Sequence, residues 1–137
     1  MITECYIKGR FDFGVGKCAV VIVEGTEIKY KVGWIVPAKF EYGGEVIQSD
    51  QFNCEILAAI YAVTWCKQNG KKIINVYANT SSCQKWYYRR EFPESRAMMG
   101  KAFNEAAEGV DVYADFVPKV DDNEFNRLVN ELAEKSR

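Results

Sequence analysis

The sequence predicts an α/β fold built on a five-stranded mixed sheet with helices on both faces. Three consecutive segments rich in Val, Ile and Tyr, separated only by short turns, indicate a meander of antiparallel strands. Helical and strand patterns then alternate, which is typical of parallel strands joined by helical crossovers. The predicted order is β-β-β-α-β-α-α-β-α.

The meander is the first part of the predicted sheet. Glycine-containing turns at Gly14 to Gly16 and Glu24 to Thr26 separate its strands. Pro37 and the pair Gly43-Gly44 then indicate a loop. The three strands are predicted at Cys5 to Phe11, Lys17 to Val23 and Glu27 to Val36.

A long helix follows, predicted from Phe52 to Gln68. It is apolar on almost every side, so it must be buried against the sheet. Ser49 or Asp50 can cap its start, and Asn69-Gly70 ends it.

The rest of the chain supplies two more strands and three more helices. Thr80 to Ser82 cap a second helix that runs through Arg89. A third helix starts at Glu94 or Ser95 and ends at Gly109. Asp121 to Glu124 form a capping box for a last helix that ends near Lys135. The two strands are predicted at Lys71 to Ala78 and Val110 to Val117.

Length and composition favour one cytoplasmic domain over residues 1–137. No apolar run is long enough to span a bilayer, and the first residues lack the pattern of a signal peptide. The five cysteines are scattered, and the chain contains no histidine, so we predict no metal site built from these residues. The cysteines are interpreted as small buried hydrophobic residues in a reducing compartment.

The net charge of −1 hides a basic block. Residues 1–66 carry six basic and eight acidic side chains, net −2. Residues 67–101 carry eight basic and two acidic side chains, net +6. Residues 102–137 carry four basic and nine acidic side chains, net −5. One basic region therefore lies between two acidic ones.

Four segments carry recognisable motifs in order along the chain: Tyr6 to Phe11, Asn53 to Val63, Val76 to Thr80, and Asn126 to Asn130. Together they resemble the ribonuclease HI family. The first has the sequence YIKGRF, where the family has Y-T-D-G-S-F, and the others match its glutamate helix, its I-Y-T-D-S strand end and its last helix. The resemblance implies a ribonuclease H-like fold over the whole chain.

The resemblance also implies a site of three aspartates and one glutamate that hold two magnesium ions for phosphodiester cleavage. Only Glu55 keeps its carboxylate in this sequence. Lys8, Asn79 and Asn126 stand at the three aspartate positions, and the family's loop histidine has no counterpart. The summed charge at the four positions is zero instead of −4, so we expect poor binding of divalent ions.

Two further readings of this site remain open. A one-turn shift of the alignment would bring Asp122 near the site and restore a second carboxylate. Alternatively, the ammonium of Lys8 takes the place of a metal ion and pairs with Glu55. The simpler alternative to that pair is that Lys8 points to solvent and Glu55 is a surface residue.

The basic block favours nucleic acid as the partner, because lysine and arginine bind phosphates and exposed aromatic rings stack on bases. For Trp86 and one neighbouring tyrosine, a place in the core is favoured over contact with nucleic acid. The predicted contact residues are Lys85, Trp86, Arg89, Arg90 and Arg96.

The expected function is therefore a catalytically inactive ribonuclease H-like domain that binds an RNA–DNA hybrid or RNA, with no cofactor. One alternative is an active nuclease with a rearranged carboxylate site, which would need Mg²⁺ or Mn²⁺. Another is a domain that contacts a protein partner, or a fused domain, without nucleic acid.

Overall fold

A computed structural model describes residues 2–118 and 123–136. Its main sheet has five strands in the order β3-β2-β1-β6-β7, and a separate hairpin pairs β4 with β5. The seven strands, in chain order, are β1 (Thr3–Asp12), β2 (Val15–Glu24), β3 (Glu27–Val36), β4 (Lys39–Tyr42), β5 (Glu45–Gln48), β6 (Ile73–Ala78) and β7 (Asp111–Phe116).

The pairing within the main sheet confirms the predicted mixed topology. β2 pairs antiparallel with both β1 and β3. β6 pairs parallel with both β1 and β7. The carboxyl ends of β1 and β6 therefore lie side by side at one edge of the sheet.

Three α-helices pack on this sheet: α1 (Gln51–Gln68), α2 (Ala97–Ala106) and α3 (Glu124–Lys135). The Asp50 side chain caps α1 by accepting a hydrogen bond from the Asn53 amide. The Asn123 side chain caps α3 by accepting from two backbone amides, those of Phe125 and Asn126. Asp121 and Asp122 of the predicted capping box lie outside the described residues.

Each face of the sheet has its own hydrophobic core. On one face, α1 and α2 cover a large cluster that includes Ile7, Ile22 and Phe103. On the other face, α3 covers a small cluster under β1 and β2, which contains Tyr6, Ala19, Val21, Val23, Val129 and Ala133. Helices thus lie on both faces, as predicted.

Gly9 fixes how closely α1 approaches β1. A Cβ atom at this position would lie 2.1 Å from the Glu55 nitrogen and 2.3 Å from the Gln51 carbonyl oxygen. Both are backbone atoms of α1, which cannot move without the whole helix. Only glycine permits this contact, and the contact brings Glu55 next to the carboxyl end of β1.

Two predicted elements differ in the structure. The predicted loop after Pro37 contains the hairpin of β4 and β5, closed by Gly43 and Gly44, whose φ angles are +62° and +83°. These two left-handed residues form a turn that matches strand twist, so the glycine pair signals a hairpin as well as a loop.

The predicted second helix is the other difference. Within the described residues it is a single π-helical turn, Gln84–Tyr88. Arg90 adopts a left-handed conformation with φ +63°, which stops helix propagation. The third predicted helix begins as a 3₁₀ turn, Glu94–Arg96, that leads into α2.

No helix in the described part of the chain is long and apolar enough to cross a membrane. The five cysteines are all buried and none forms a disulfide in this structure.

Candidate functional site

The four residues predicted at the site come from four different elements. Lys8 lies on β1, and Asn79 directly follows its parallel neighbour β6. Glu55 lies in the second turn of α1, and Asn126 lies in the first turn of α3. The four elements meet at the end of the sheet where the carboxyl ends of β1 and β6 lie. They are held there by strand pairing, by the Gly9 contact and by the capped start of α3.

Glu55 is buried, with 5% of its surface exposed. Burial raises the pKa of its carboxyl group to about 7, while the Tyr87 hydroxyl and the Lys8 charge oppose this rise. The Tyr87 hydroxyl donates a hydrogen bond of 2.6 Å to Glu55 Oε2. Glu55 therefore receives a donor from the π-helical turn, a residue that the sequence reading did not assign to the site.

Lys8 is half-buried beside this carboxylate. Burial lowers the pKa of its ammonium group, and the charge of Glu55 opposes that change. The hydrogen bonds and ion pairs of residues 2–118 and 123–136 include none between Lys8 and Glu55. The two charges therefore act on each other through space, rather than as the direct pair of the sequence hypothesis.

Asn79 and Asn126 belong to a network of three amide side chains. Asn79 Nδ2 donates to the Val117 carbonyl at 2.7 Å and to Asn126 Oδ1 at 3.3 Å. Asn130 Nδ2 donates to Asn79 Oδ1 at 3.2 Å and to the Asn126 carbonyl at 2.8 Å. Asn126 is fully buried. The network joins the end of β6 to the first turns of α3 through neutral groups.

Solved structures with the same arrangement of elements include ribonucleases H. RNase H1 from the halophilic archaeon Halobacterium salinarum has a TM-score of 0.77 at 15% identity, over 99% of this chain and 97% of that chain. An N-terminal RNase H domain from Mycobacterium tuberculosis has a TM-score of 0.79 at 9% identity, over 99% and 98% of the two chains. The chain has a ribonuclease H-like fold. Comparison of the sequence with known protein families and with curated proteins finds no match.

A third similar structure is LC11-RNase H1, isolated from compost, in complex with an RNA/DNA hybrid. It has a TM-score of 0.66 at 16% identity, over 98% of this chain and 95% of that chain. At these identities the likeness establishes the ribonuclease H-like fold and leaves the chemistry of the site to its residues.

The described residues at the four positions do not fit the pair of divalent ions that ribonuclease H chemistry requires. Hard cations need several oxygen ligands and negative charge to balance their own. Here the Asn79 oxygen already accepts from Asn130, and a cation occupies the Lys8 position. The described residues contain no group of three or more acidic, cysteine or histidine side chains that could hold a metal. Asp122, the predicted substitute carboxylate, lies outside the described residues.

The predicted nucleic-acid contacts separate into exposed and buried residues. Lys85 and Arg89 are exposed on and beside the π-helical turn. Trp86 is only 7% exposed and packs against Phe52, so its ring is part of the core and does not offer a face for stacking. Tyr87 is buried as well, in agreement with the expectation that Trp86 and one neighbouring tyrosine belong to the core.

Arg90 and Arg96 have structural contacts instead of free guanidinium groups. Arg90 donates to the Val110 carbonyl and lies over the Phe103 ring at 5.7 Å. Arg96 donates to both carboxylate oxygens of Asp50, the cap of α1, at 3.0 and 2.9 Å. These two residues hold the connection between β6 and α2 in place.

The sequence reading missed an exposed pair of tyrosines. Tyr88 and Tyr113 are 54% and 49% exposed, and their rings stack with centroids 5.6 Å apart. They line a groove of about 480 Å³ that also includes Arg89 and Asn75. The exposure of Tyr113 could have been predicted from the alternation of side chains along β7. Val112 and Ala114 point to the core, so Tyr113 between them must point away from it.

Proposed function

We propose that this ribonuclease H-like domain is catalytically inactive and binds nucleic acid, an RNA–DNA hybrid or RNA, through a basic surface around Lys85 and Arg89. The main observation in support of catalytic inactivity is the amide network of Asn79, Asn126 and Asn130. Asn79 and Asn126 stand at two positions where the resemblance implies metal-binding carboxylates, and the Asn79 oxygen already accepts a hydrogen bond from Asn130.

Electrostatics supports the same conclusion. Metal-assisted phosphodiester cleavage needs a cluster of carboxylates to hold the cations. Glu55 is the one carboxylate among the four positions, and its raised pKa of about 7 makes the charged form costly even at neutral pH. The half-buried ammonium of Lys8 further disfavours a second cation nearby.

Two features of the exposed surface support nucleic-acid binding. Lys85 and Arg89 are exposed, and neither takes part in an ion pair within the described residues. Tyr88 lies between them and exposes its ring beside Tyr113. Cations next to exposed aromatic rings suit a phosphate backbone with accessible bases or sugars. A protein of the same fold, LC11-RNase H1, has been solved with an RNA/DNA hybrid.

The double variant Lys85→Ala/Arg89→Ala is expected to bind an RNA–DNA hybrid more weakly than the wild type. Each lost phosphate contact should reduce the slope of log affinity against log salt by about 1, so the double variant should lose about 2. Fluorescence anisotropy with a labelled hybrid at several salt concentrations measures both quantities.

The matched control is Lys31→Ala/Lys39→Ala. It removes the same charge from two exposed positions: Lys31 lies on β3, at the opposite edge of the main sheet from β7, and Lys39 lies on β4 of the separate hairpin. We expect it to retain the wild-type slope. If both double variants lost the same affinity and salt slope, binding would depend on net charge alone. If the wild type did not bind the hybrid even at low salt, the result would favour the protein-interaction alternative.

The purified wild-type protein is expected to leave a labelled RNA–DNA hybrid intact with either Mg²⁺ or Mn²⁺. The triple variant Lys8→Asp/Asn79→Asp/Asn126→Asp restores a summed charge of −4 at the four positions. Its new carboxylate at position 79 would lie near the Val117 carbonyl, so the triple variant should be less stable without metal and gain thermal stability when Mn²⁺ is added. Calorimetric titration measures this binding directly.

Circular dichroism establishes first that the triple variant folds. A folded triple variant that binds no metal would contradict the site assignment. Wild-type cleavage that disappears in Glu55→Gln would instead support the active alternative with a rearranged carboxylate site.

A further inference from the structure

Two cysteine thiols from distant parts of the chain are in contact between β1 and α1. Cys5 lies on β1 and Cys66 lies in the last turn of α1, 61 residues further on. Their sulfur atoms are 3.6 Å apart, and both side chains are fully buried. A disulfide has an S–S distance of about 2.05 Å, so a movement on the order of 1.5 Å would bring the two sulfurs to bonding distance.

The two thiols differ in their surroundings. The hydrogen bond with Cys5 lowers the pKa of the Cys66 thiol, while burial and the charge of Glu24 raise it and the charge of Lys71 lowers it. The same contact and burial raise the pKa of Cys5 well above its usual value. Cys66 lies in the last turn of α1, and helix ends open more readily than helix centres, so an oxidant reaches this thiol first. The thiolate is the form that attacks a disulfide.

We propose that Cys5 and Cys66 are a disulfide-forming pair that a low-molecular-weight disulfide, such as oxidised glutathione, converts to a cross-link between β1 and α1. The Cys66 thiolate attacks one sulfur of the oxidant, forms a mixed disulfide and releases one glutathione thiolate. Deprotonated Cys5 then attacks the Cys66 sulfur and releases the second. The two protein thiols lose two electrons and two protons in total, and the oxidant is reduced to two thiols.

The position of the pair gives the cross-link a consequence for the candidate site. β1 carries Lys8 and α1 carries Glu55, so the disulfide would tie together the two elements that bring these charges near each other. This inference does not depend on the proposed function, because it concerns only the contact between β1 and α1.

The pair is buried, so the oxidant needs a local opening of the last turn of α1. That turn ends at Asn69 and Gly70, and helix ends open more readily than helix centres. We therefore expect slow oxidation in the folded protein that accelerates a few degrees below the melting temperature.

The test is incubation of the reduced full chain with oxidised glutathione, followed by alkylation and digestion. Trypsin alone leaves Cys54 and Cys66 in one peptide, so cleavage after Glu55 by a glutamyl endopeptidase is needed to separate them. Mass spectrometry should then find the Cys5 peptide joined to the Cys66 peptide. The melting temperature of the oxidised protein should rise on the order of 10 °C, because the cross-link closes a long loop, and a reductant should reverse the rise.

Cys83→Ser is the matched control, because Cys83 is also buried and has no described thiol contact. It should cross-link and gain stability as the wild type does, while Cys66→Ser should do neither. Cys54→Ser serves as a second control, because the Cys54 thiol interacts with Cys18 on β2 instead. Recovery of glutathione adducts only, of a cross-link between other cysteines only, or of the Cys5–Cys66 peptide only after denaturation would overturn the proposal.

Discussion

Gly9→Ala is expected to destabilise the protein by at least about 3 kcal/mol, the largest effect of any single substitution considered for this fold. The added Cβ would lie 2.1 Å from the Glu55 nitrogen, where no real side chain is tolerated. Because the opposing atoms belong to the helix backbone, α1 would have to move as a body and would lose its packing on β1. Unfolding in urea, monitored by circular dichroism, measures the loss.

Gly25→Ala is the matched control for this substitution. Gly25 has a φ of +65° in the turn between β2 and β3, and an added Cβ would meet nothing within 4 Å. Its cost should therefore be only the backbone cost of a left-handed alanine, about 1 kcal/mol. If the two variants lost similar amounts of unfolding free energy, the close approach of α1 to β1 would not be the cause of the destabilisation.

The free energy of unfolding is expected to fall as pH rises from 4.5 to 7, by about 3 kcal/mol. The pKa of Glu55 is raised from 4.5 to about 7 in the folded protein. Between pH 4.5 and pH 7, the Glu55 carboxyl group has released its proton in the unfolded chain but keeps it in the folded protein. The unfolded state therefore binds fewer protons, and stability decreases with pH until the folded carboxyl group ionises as well.

Other groups interfere little in this pH window. The chain has no histidine, and the lowered pKa values of Asp12 and Glu24 affect stability at more acidic pH, with the opposite sign. Glu55→Gln keeps the shape of the side chain and removes the titrating group. Urea unfolding of this variant at a series of pH values should show a nearly flat profile from 4.5 to 7.

Tyr87→Phe gives an independent check on the same group. It removes the hydroxyl that donates to Glu55 and holds its pKa down, so the decrease in stability should extend to higher pH. A wild-type profile as flat as that of Glu55→Gln would contradict the burial of Glu55.

Much of the fold was predictable because local signals agreed with the tertiary structure. α1 begins after Asp50 and ends before Asn69, as its caps predict, and most of its apolar side chains are buried, with Tyr61 exposed. The hairpin of β4 and β5 was missed because its strands have only four residues each, too short for a clear alternation. The second helix was predicted from its capping residues, but the left-handed Arg90 limits it to a π-helical turn.

The resemblance predicts residues for the site but not their contacts. It predicts Glu55 as the retained carboxylate and Lys8, Asn79 and Asn126 at the replaced carboxylate positions, and this assignment stays a prediction. The partners Tyr87 and Asn130 were not predicted, although Asn126 and Asn130 have the four-residue spacing that places side chains on one helix face. Tyr87 has no such local signal, because its contact with Glu55 joins residues 32 positions apart.

The sequence by itself determined the ribonuclease H-like order of elements, because that order depends on residue types and local periodicity. The loss of carboxylates at Lys8, Asn79 and Asn126 is what the resemblance predicts. Only the tertiary structure decided which side chains meet: Tyr87 with Glu55, Asn130 with Asn79, and Cys5 with Cys66. It also decided that Trp86 is buried while Tyr88 is exposed. The physical reason is that burial and contact depend on how distant elements pack, and packing is not encoded in any single segment.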